Sequence, residues 1–494
     1  LTFAFITPPF QVADEPSHLF RSWQISEFNL FKYNDKAPES LVHLSTMANR
    51  MMFMAHEKTG IDELTSLAEI ELNEEDQSTV ETPNYILPYL PQALGISLGD
   101  WLGINPLGQF YLARILNLLV CLFILFQAIR ITPVLKWLFF LLSLLPMVLY
   151  QMASLSYDAM TISLSFLLTA ILFKLAFGTS SQISIRDLAS LFIVSAFLAL
   201  CKPPYYIIAL AFLIIPASKL GSRKRFILIF LGLAATIIVC SQLWSVTREV
   251  FRPREQVSGF RFQVSGSRFN FQQLFTPALK GAVAENKTPF NLVSSIQDLA
   301  TSIQHPVTSY PASSIQHPVS TIGHPASGIR HLVSDVSKPT YDYSLQEQQN
   351  YILADPFRYL GILGNTLSES GHLYLISFIG LFGWVDTPLP WFLIILYYLM
   401  LVFISATTPT TGINVNWKKK SILLAIFLLG FVLVETAMYI CCNTVGSDQV
   451  MAVQGRYFIA FGPLIFILFY NNRISELSGG ESSRSVDKTG KHKR

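Results

Sequence analysis

Residues 110–129 read FYLARILNLLVCLFILFQAI, twenty positions of which only Arg114, Asn117 and Gln127 are polar. A helix that crosses a bilayer needs about 20 mostly apolar residues, and this stretch supplies them. Windows of the same kind, some shorter, recur at 135–152, 156–177, 187–201, 204–217, 226–246, 389–407, 421–441 and 457–471. The chain opens with Leu1 rather than Met, and residues 1–7 (LTFAFIT) read as the tail of a first membrane helix, truncated upstream and ended by Pro8-Pro9. The expectation is an all-α integral membrane protein with about ten crossings. The spans at 187–201 and 204–217 are short and are separated by Lys202-Pro203-Pro204.

Composition agrees. Of 494 residues, 51% are hydrophobic and 14% charged, with a mean hydropathy of +0.43, whereas soluble domains carry roughly 25% charged residues. A formal net charge of +3 with no basic stripe gives no reason to expect a nucleic-acid partner. The cysteines, Cys121, Cys201, Cys240 and the vicinal Cys441-Cys442, lie in or beside apolar runs without metal-ligand spacing.

Short cationic connectors orient the bundle. Arg130 with Lys136, Lys174 with Arg186, the Lys219–Arg225 cluster, Lys418–Lys420 and the C-terminal Lys491-His492-Lys493-Arg494 all fall on one side when ten spans are counted. The positive-inside rule makes that side cytoplasmic. The expected order is then a first outer, periplasmic loop at 8–109, helices 2–7 over 110–246, a second outer loop at 247–388, helices 8–10 over 389–471 and a basic tail at 472–494. Counting the apolar residues 373–385 as a span would break this parity, so 357–385 is read as an interfacial or re-entrant segment.

The first loop should open with an interfacial helix from Glu15 to about Phe31, laying Leu19, Phe20 and Trp23 on the membrane while Arg21 and Gln24 face water. Residues 61–81 are an acidic, solvated excursion, followed by a rigid aromatic turn around Pro83-Asn84-Tyr85 and Pro88-Tyr89. The second loop holds a low-complexity tract at 294–337 with His305, His317, His324 and His331. Its recurring prolines forbid a continuous helix, so it reads as an expanded insertion.

In this topology polar residues collect at the outer helix ends. They are Asp14, Glu15 and His18 after the first span, Arg114 and Asn117 in the second, Gln151, Ser154, Ser156 and Asp158 between the third and fourth, then Lys202, Asp386 and Gln454-Gly455-Arg456-Tyr457. Each has an ordinary structural reading: Asp158 capped through Ser154 and Ser156, Arg114 paired with an acid or snorkelling to lipid head groups, Lys202 at the interface, Asp14-Glu15 at a helix start. Their co-location favours a shared ligand, since charges beside lipid are costly. A polyprenyl-phosphate sugar donor suits them. Arg114 and Arg456 would hold the phosphate, and Asp14 would serve as base toward an acceptor hydroxyl. Asp158 would be a second acid, and a divalent cation (Mg or Mn) between two carboxylates is left open by the spacing.

Six segments in order, PPFQVADEPSHLFRSWQIS, PNYILPYLPQALG, RILN, LPMVLYQMASLSYD, GWVDTPLP and VQGRYF, resemble a family of bacterial multi-pass membrane proteins of unknown function grouped with the GT-C glycosyltransferases. The resemblance spans about residues 8–470, and the His-Pro repeats depart from it. It implies a GT-C-like helical bundle in the bacterial inner membrane, acting on its periplasmic face. It also implies a lipid-linked sugar donor, a cell-envelope glycan or lipid acceptor, and an acid of the first outer loop, here Asp14 or Glu15, as base or acceptor-binding group. The rival readings are a transporter or flippase of envelope glycans, for which no internal repeat is evident, and a non-catalytic assembly protein.

Overall fold

The computed structural model describes residues 1–30, 36–52, 54, 59–73, 75–80, 82–250, 345–408 and 415–472. The histidine-rich tract and residues 473–494 of the basic tail lie outside them. Helix dominates, beginning with α1 (Thr2–Ile6) and α2 (Glu15–Ser26). A small lobe follows, in which β1 (Lys36–Pro38) pairs antiparallel with β2 (Gln77–Thr79) around α3 (Glu39–Ser45), α4 (Met47–Met51) and α5 (Ile61–Ala68).

This lobe overturns the expectation for α2. Leu19, Phe20 and Trp23 are 2%, 8% and 5% exposed, packed with Leu41, Leu44 and Met47 into a core rather than lying on lipid. Arg21 and Gln24, expected to face water, are also buried. Arg21 donates to the carbonyl oxygens of Tyr85, Asn29 and Leu30. A helix covered on every side has no solvated face to leave polar, so its polar residues bond inward instead.

After a short 3-10 turn (Leu87–Tyr89), α6 (Leu90–Trp101) and α7 (Pro106–Ile131) form a tight antiparallel hairpin. A Cβ on Gly95 would stand 2.5 Å from the Ala113 Cα, and one on Gly99 2.8 Å from the Gln109 Cγ. Only glycine lets the two backbones come this close. Asn105 caps α7 by accepting from the Gly108 N–H at 2.8 Å, and Pro106 occupies the first turn, where its missing N–H costs nothing.

The window 135–152 is two helices, α8 (Lys136–Ser143) and α9 (Pro146–Met152), because Pro146 cannot continue the preceding turn. Next come α10 (Asp158–Phe177), α11 (Ile185–Cys201), a 3-10 stretch (Tyr205–Ile214) and α12 (Arg223–Val250). Beyond the undescribed segment lie α13 (Leu345–Ala354), α14 (Pro356–Ile379), α15 (Trp391–Thr407) and α16 (Trp417–Cys442). A 3-10 segment (Gly455–Phe461), the short α17 (Gly462–Phe466) and a final 3-10 turn (Ile467–Phe469) end the fold of the described residues. The stretch expected as interfacial, 357–385, is thus the 24-residue α14 followed by a hairpin of β3 (Leu381–Phe382) and β4 (Thr387–Pro388).

Among the described residues, four helices are long and apolar enough to cross a membrane: α7, α10, residues 223–242 of α12, and α16. Shorter apolar helices occupy 205–214, 391–407 and 455–469. Helix α10 is the axis of the bundle, with 89% of its apolar window buried inside the protein, and it is apolar on every face accordingly.

The two ends of α10 differ chemically. At its C-terminal end, Lys174 pairs with Asp187 at 2.7 Å, Lys219 donates to the Leu175 and Gly178 carbonyls, and Lys419 sits 4.4 Å from the Phe177 ring centroid. At its N-terminal end stands Asp158. About 30 Å of helix separates them. Trp101, Trp137, Trp391 and Trp417, all more than 60% exposed, lie at the ends of α6, α8, α15 and α16. That is the interfacial girdle expected of a bilayer-embedded bundle.

Candidate functional site

The polar residues singled out in the sequence separate into two neighbouring groups. The first is closed. Glu15 and Arg114 are fully buried and joined twice, Nε to Oε1 at 2.9 Å and Nη2 to Oε2 at 2.6 Å. The remaining Arg114 donors go to the carbonyls of Ala4 (3.1 Å), Thr7 (2.7 Å) and Pro8 (3.2 Å). A guanidinium has five N–H groups, and all five are used. Glu15 additionally accepts from the Phe10 and Leu155 amides. Asn117, one turn below, donates to the Ser154 carbonyl at 2.8 Å. This group fastens the turn after α1 and the α9–α10 turn to α7.

The second group is open. Asp158 begins α10, its amide donating to Ser156 Oγ at 3.2 Å, while its carboxylate is left for other partners. Lys202 Nζ donates to Asp158 Oδ1 at 2.8 Å. The lysine sits where α11 stops, because the residue before a proline leaves the helical region. Arg456 Nε lies 3.6 Å from Asp158 Oδ2, an ion pair beyond hydrogen-bond length, so this buried donor has no hydrogen bond.

The motif around Arg456 explains how it gets there. Gly455 is pressed against α14, where a Cβ would collide with the Tyr374 carbonyl oxygen, and its amide donates to Ser377 Oγ at 2.7 Å. Tyrosines wall the pair of cations. Lys202 Nζ is 4.4 Å from the Tyr457 ring centroid and 4.5 Å from that of Tyr157, and the Arg456 guanidinium is 5.3 Å from Tyr457.

Asp14 faces this group. It precedes α2 in the left-handed region (φ 63°), and its side chain makes no capping bond. Phe10, Phe28, Leu135, Val385 and Ala452 also have positive φ among the described residues. Backbone strain of this sort costs about 1–3 kcal/mol per residue and collects at functional sites. Asp14 is half-buried, within electrostatic reach of Arg456, Asp158 and Lys202. Burial chiefly raises its pKa, opposed by Arg456 and Lys202 and assisted by Asp158.

His18, one turn on, contacts the Tyr89 hydroxyl through Nδ1 at 2.7 Å and lies edge-on to Tyr157. Burial lowers its pKa to about 3, so it is neutral near pH 7. Burial likewise raises the Tyr89 hydroxyl well above its usual range.

Asp386 belongs to the β3–β4 hairpin, where its Oδ1 accepts from Thr387 Oγ1 at 3.0 Å and burial raises its pKa. The same hairpin touches the first loop through Trp384 Nε1, which donates to the Phe10 carbonyl at 3.2 Å. Gln454 supplies the carbonyl that accepts from the Tyr457 amide at 3.0 Å. Among the described residues no cluster of three or more His, Cys, Asp or Glu gathers to hold a metal ion. Both Asp158 oxygens already face cations.

Of the site's tyrosines, the sequence points to Tyr457 but not to Tyr89 or Tyr157. Tyr89 and Tyr157 lie inside the quoted motifs, but a tyrosine in an apolar run carries no signal of which side chain it will face. The adjacency Tyr157-Asp158 and the spacing Lys202–Tyr205 were the available hints.

The chain matches the model of the family described as predicted membrane protein (DUF2142) over residues 1–279 and 285–465, and it belongs to that family. No curated protein and no solved structure matches it.

Proposed function

We propose that this member of the predicted membrane proteins (DUF2142) is a GT-C-type glycosyltransferase of the bacterial inner membrane. It would move a sugar from a polyprenyl-phosphate donor to a cell-envelope glycan or lipid acceptor at the periplasmic face. The observation that carries the reading is Arg456 Nε, a buried guanidinium donor that is ion-paired with Asp158 but has no hydrogen bond, beside Lys202 and opposite the uncapped Asp14. A buried donor without a hydrogen bond is costly, and an incoming phosphate oxygen would satisfy it.

In this reading Lys202 and Arg456 bind the donor phosphate and stabilise charge on it as the glycosidic bond breaks. Arg114, with every donor engaged, holds the site together through Glu15 and does not touch the donor. Asp14 takes the proton from the acceptor hydroxyl, and its raised pKa makes it a better base than an exposed aspartate. The hydroxyl oxygen attacks the anomeric carbon and the phosphate leaves with the bonding pair, which inverts that centre. Asp158 orients the two cations. Tyr157 and Tyr457 offer aromatic faces, and His18, neutral, contributes hydrogen bonds only. Gln454, Tyr457 and Asp386 would contact donor or acceptor from the surrounding loops.

The test is transfer from radiolabelled polyprenyl-phosphate sugars in membranes carrying the protein. Transfer that is present in the wild type and lost in Asp14→Asn supports the reading. Full transfer in Asp14→Asn sinks the assignment of the base, and no transfer from any donor sinks the enzyme.

A further inference from the structure

We infer that α6 is embedded in the bilayer, with the face formed by Leu90, Leu94 and Leu98 lying against lipid acyl chains on the site's side of the membrane. This helix falls within what the sequence reads as an outer loop, and the inference does not rest on the reaction proposed above. Leu90, Leu94 and Leu98 are 45%, 60% and 38% exposed and repeat every four residues, so they form one stripe along the helix. The opposite face, with Gln92, Gly95, Ile96 and Gly99, is buried against α7 and α2.

Three observations identify lipid as the occupant. First, α6 is laid directly on a membrane helix. The pairs Gly95–Ala113 and Gly99–Gln109 fix an antiparallel register that brings Leu90 level with Leu118, well inside the apolar run of α7. Second, α7 itself exposes apolar side chains just deeper than this register, where Leu119, Leu122 and Phe123 are 52%, 39% and 63% exposed.

Third, the exposed side is graded. Its polar members, Ser97 and Asp100, lie in the C-terminal half, and Trp101 closes it at 79% exposure. Apolar at the deep end and Trp-capped at the other is the profile of a segment entering a leaflet from its interface. Twelve residues of helix reach about 18 Å, roughly half of a bilayer and its head groups. Close glycine packing of the type Gly95-x-x-x-Gly99 is the usual means of joining helices where no hydrophobic effect operates between them. The role expected of α2 therefore falls to α6.

The test uses the wild-type full chain in phosphatidylethanolamine–phosphatidylglycerol vesicles doped with a phospholipid bearing a diazirine near the end of one acyl chain. After photolysis, adducts are mapped by mass spectrometry, and a parallel sample is footprinted with hydroxyl radicals. Leu119 and Leu122 serve as the lipid reference, and Ile61, 82% exposed on α5, as the water reference. The expected result is carbene adducts on Leu94 and Leu98 comparable to those on α7, with no radical oxidation there. Oxidation of Leu94 and Leu98 at the level of Ile61 would place α6 in water and overturn the inference. Absence of both labels while the references react would mean a protein partner covers the stripe, and would overturn it equally.

Discussion

Glu15 and Arg114 lie 99 residues apart in the chain and meet through two hydrogen bonds of 2.9 and 2.6 Å, with neither side chain exposed. Around them close the turn after α1, the start of α2, the middle of α7 and the α9–α10 turn. The open group of Asp14, Asp158, Lys202 and Arg456 is held in register by this closed one. Asp14 is the neighbour of Glu15, and Leu155, three residues before Asp158, donates its amide to Glu15. In the proposed function, stability and chemistry are divided between these adjacent carboxylates.

Removing one partner of the closed pair should be severe. Arg114→Met strands the Glu15 carboxylate and three carbonyls, and breaking such a buried pair costs about 3–5 kcal/mol. Glu15→Gln, which keeps the shape and loses the charge, should cost less. Thermal unfolding of the detergent-solubilised protein checks both. If Arg114→Met melts like the wild type, the pair is not the fastener described.

The glycines offer a paired comparison. Gly95→Val forces a side chain into the Ala113 backbone and should cost about 1–3 kcal/mol, the usual penalty of overpacking. Gly361→Ala, on α14 with nothing within 4 Å of the added Cβ, should leave stability unchanged or raise it by up to about 1 kcal/mol. Melting temperatures of the two variants should therefore move apart, and equal shifts would refute the close α6–α7 contact.

How much of this was legible beforehand follows from what each residue's signal depends on. The membrane class and α7 were legible because a run of twenty mostly apolar residues has few other destinations. The co-location of Asp14, Asp158, Lys202 and Arg456 at one end of α10 was legible because the assumed span parity put these ends on one side. The pairing of Glu15 with Arg114 was considered only generically, since a sequence gives no distance between a loop carboxylate and a helix guanidinium. The placement of α2 was misread because its apolar spacing is the same whether the neighbour is lipid or a small lobe. The length criterion likewise fails where Pro146 splits an apolar window into α8 and α9. It fails again where Gly455 draws a 3-10 segment against α14.

Lys202 and Arg456 should be separable from Asp14 by what they bind. Lys202→Met removes the hydrogen bond to Asp158 and one of the two proposed phosphate contacts, and should weaken binding of polyprenyl phosphate by roughly tenfold or more, the value of one charge-assisted hydrogen bond. Asp14→Asn should leave that binding within about twofold of the wild type, since Asp14 is assigned to the acceptor. Titration of a fluorescent polyprenyl-phosphate analogue into the solubilised protein measures both. Equal losses would mean the two residues do not serve different substrates.

The raised pKa of Asp14 predicts opposite effects on activity and stability. Because the folded protein holds this proton more tightly than the unfolded chain, the folded state carries more bound protons between the unfolded and folded values. Stability must therefore fall as pH rises through that window. At pH 7.5, above the unfolded carboxylate range, Asp14→Asn, which cannot ionise, should therefore melt higher than the wild type. Below the unfolded carboxylate range Asp14 is protonated in both states, and the advantage should vanish there. Transfer should run the other way, falling in the wild type as pH drops through the raised value and absent in the variant throughout. Melting curves at pH 3.5 and 7.5, with transfer assays across the range where the protein stays folded, test the pair of signs. A variant that melts lower than wild type at pH 7.5 would show that Asp14 is a structural carboxylate held by Lys202 and Arg456, and the base would have to be sought elsewhere.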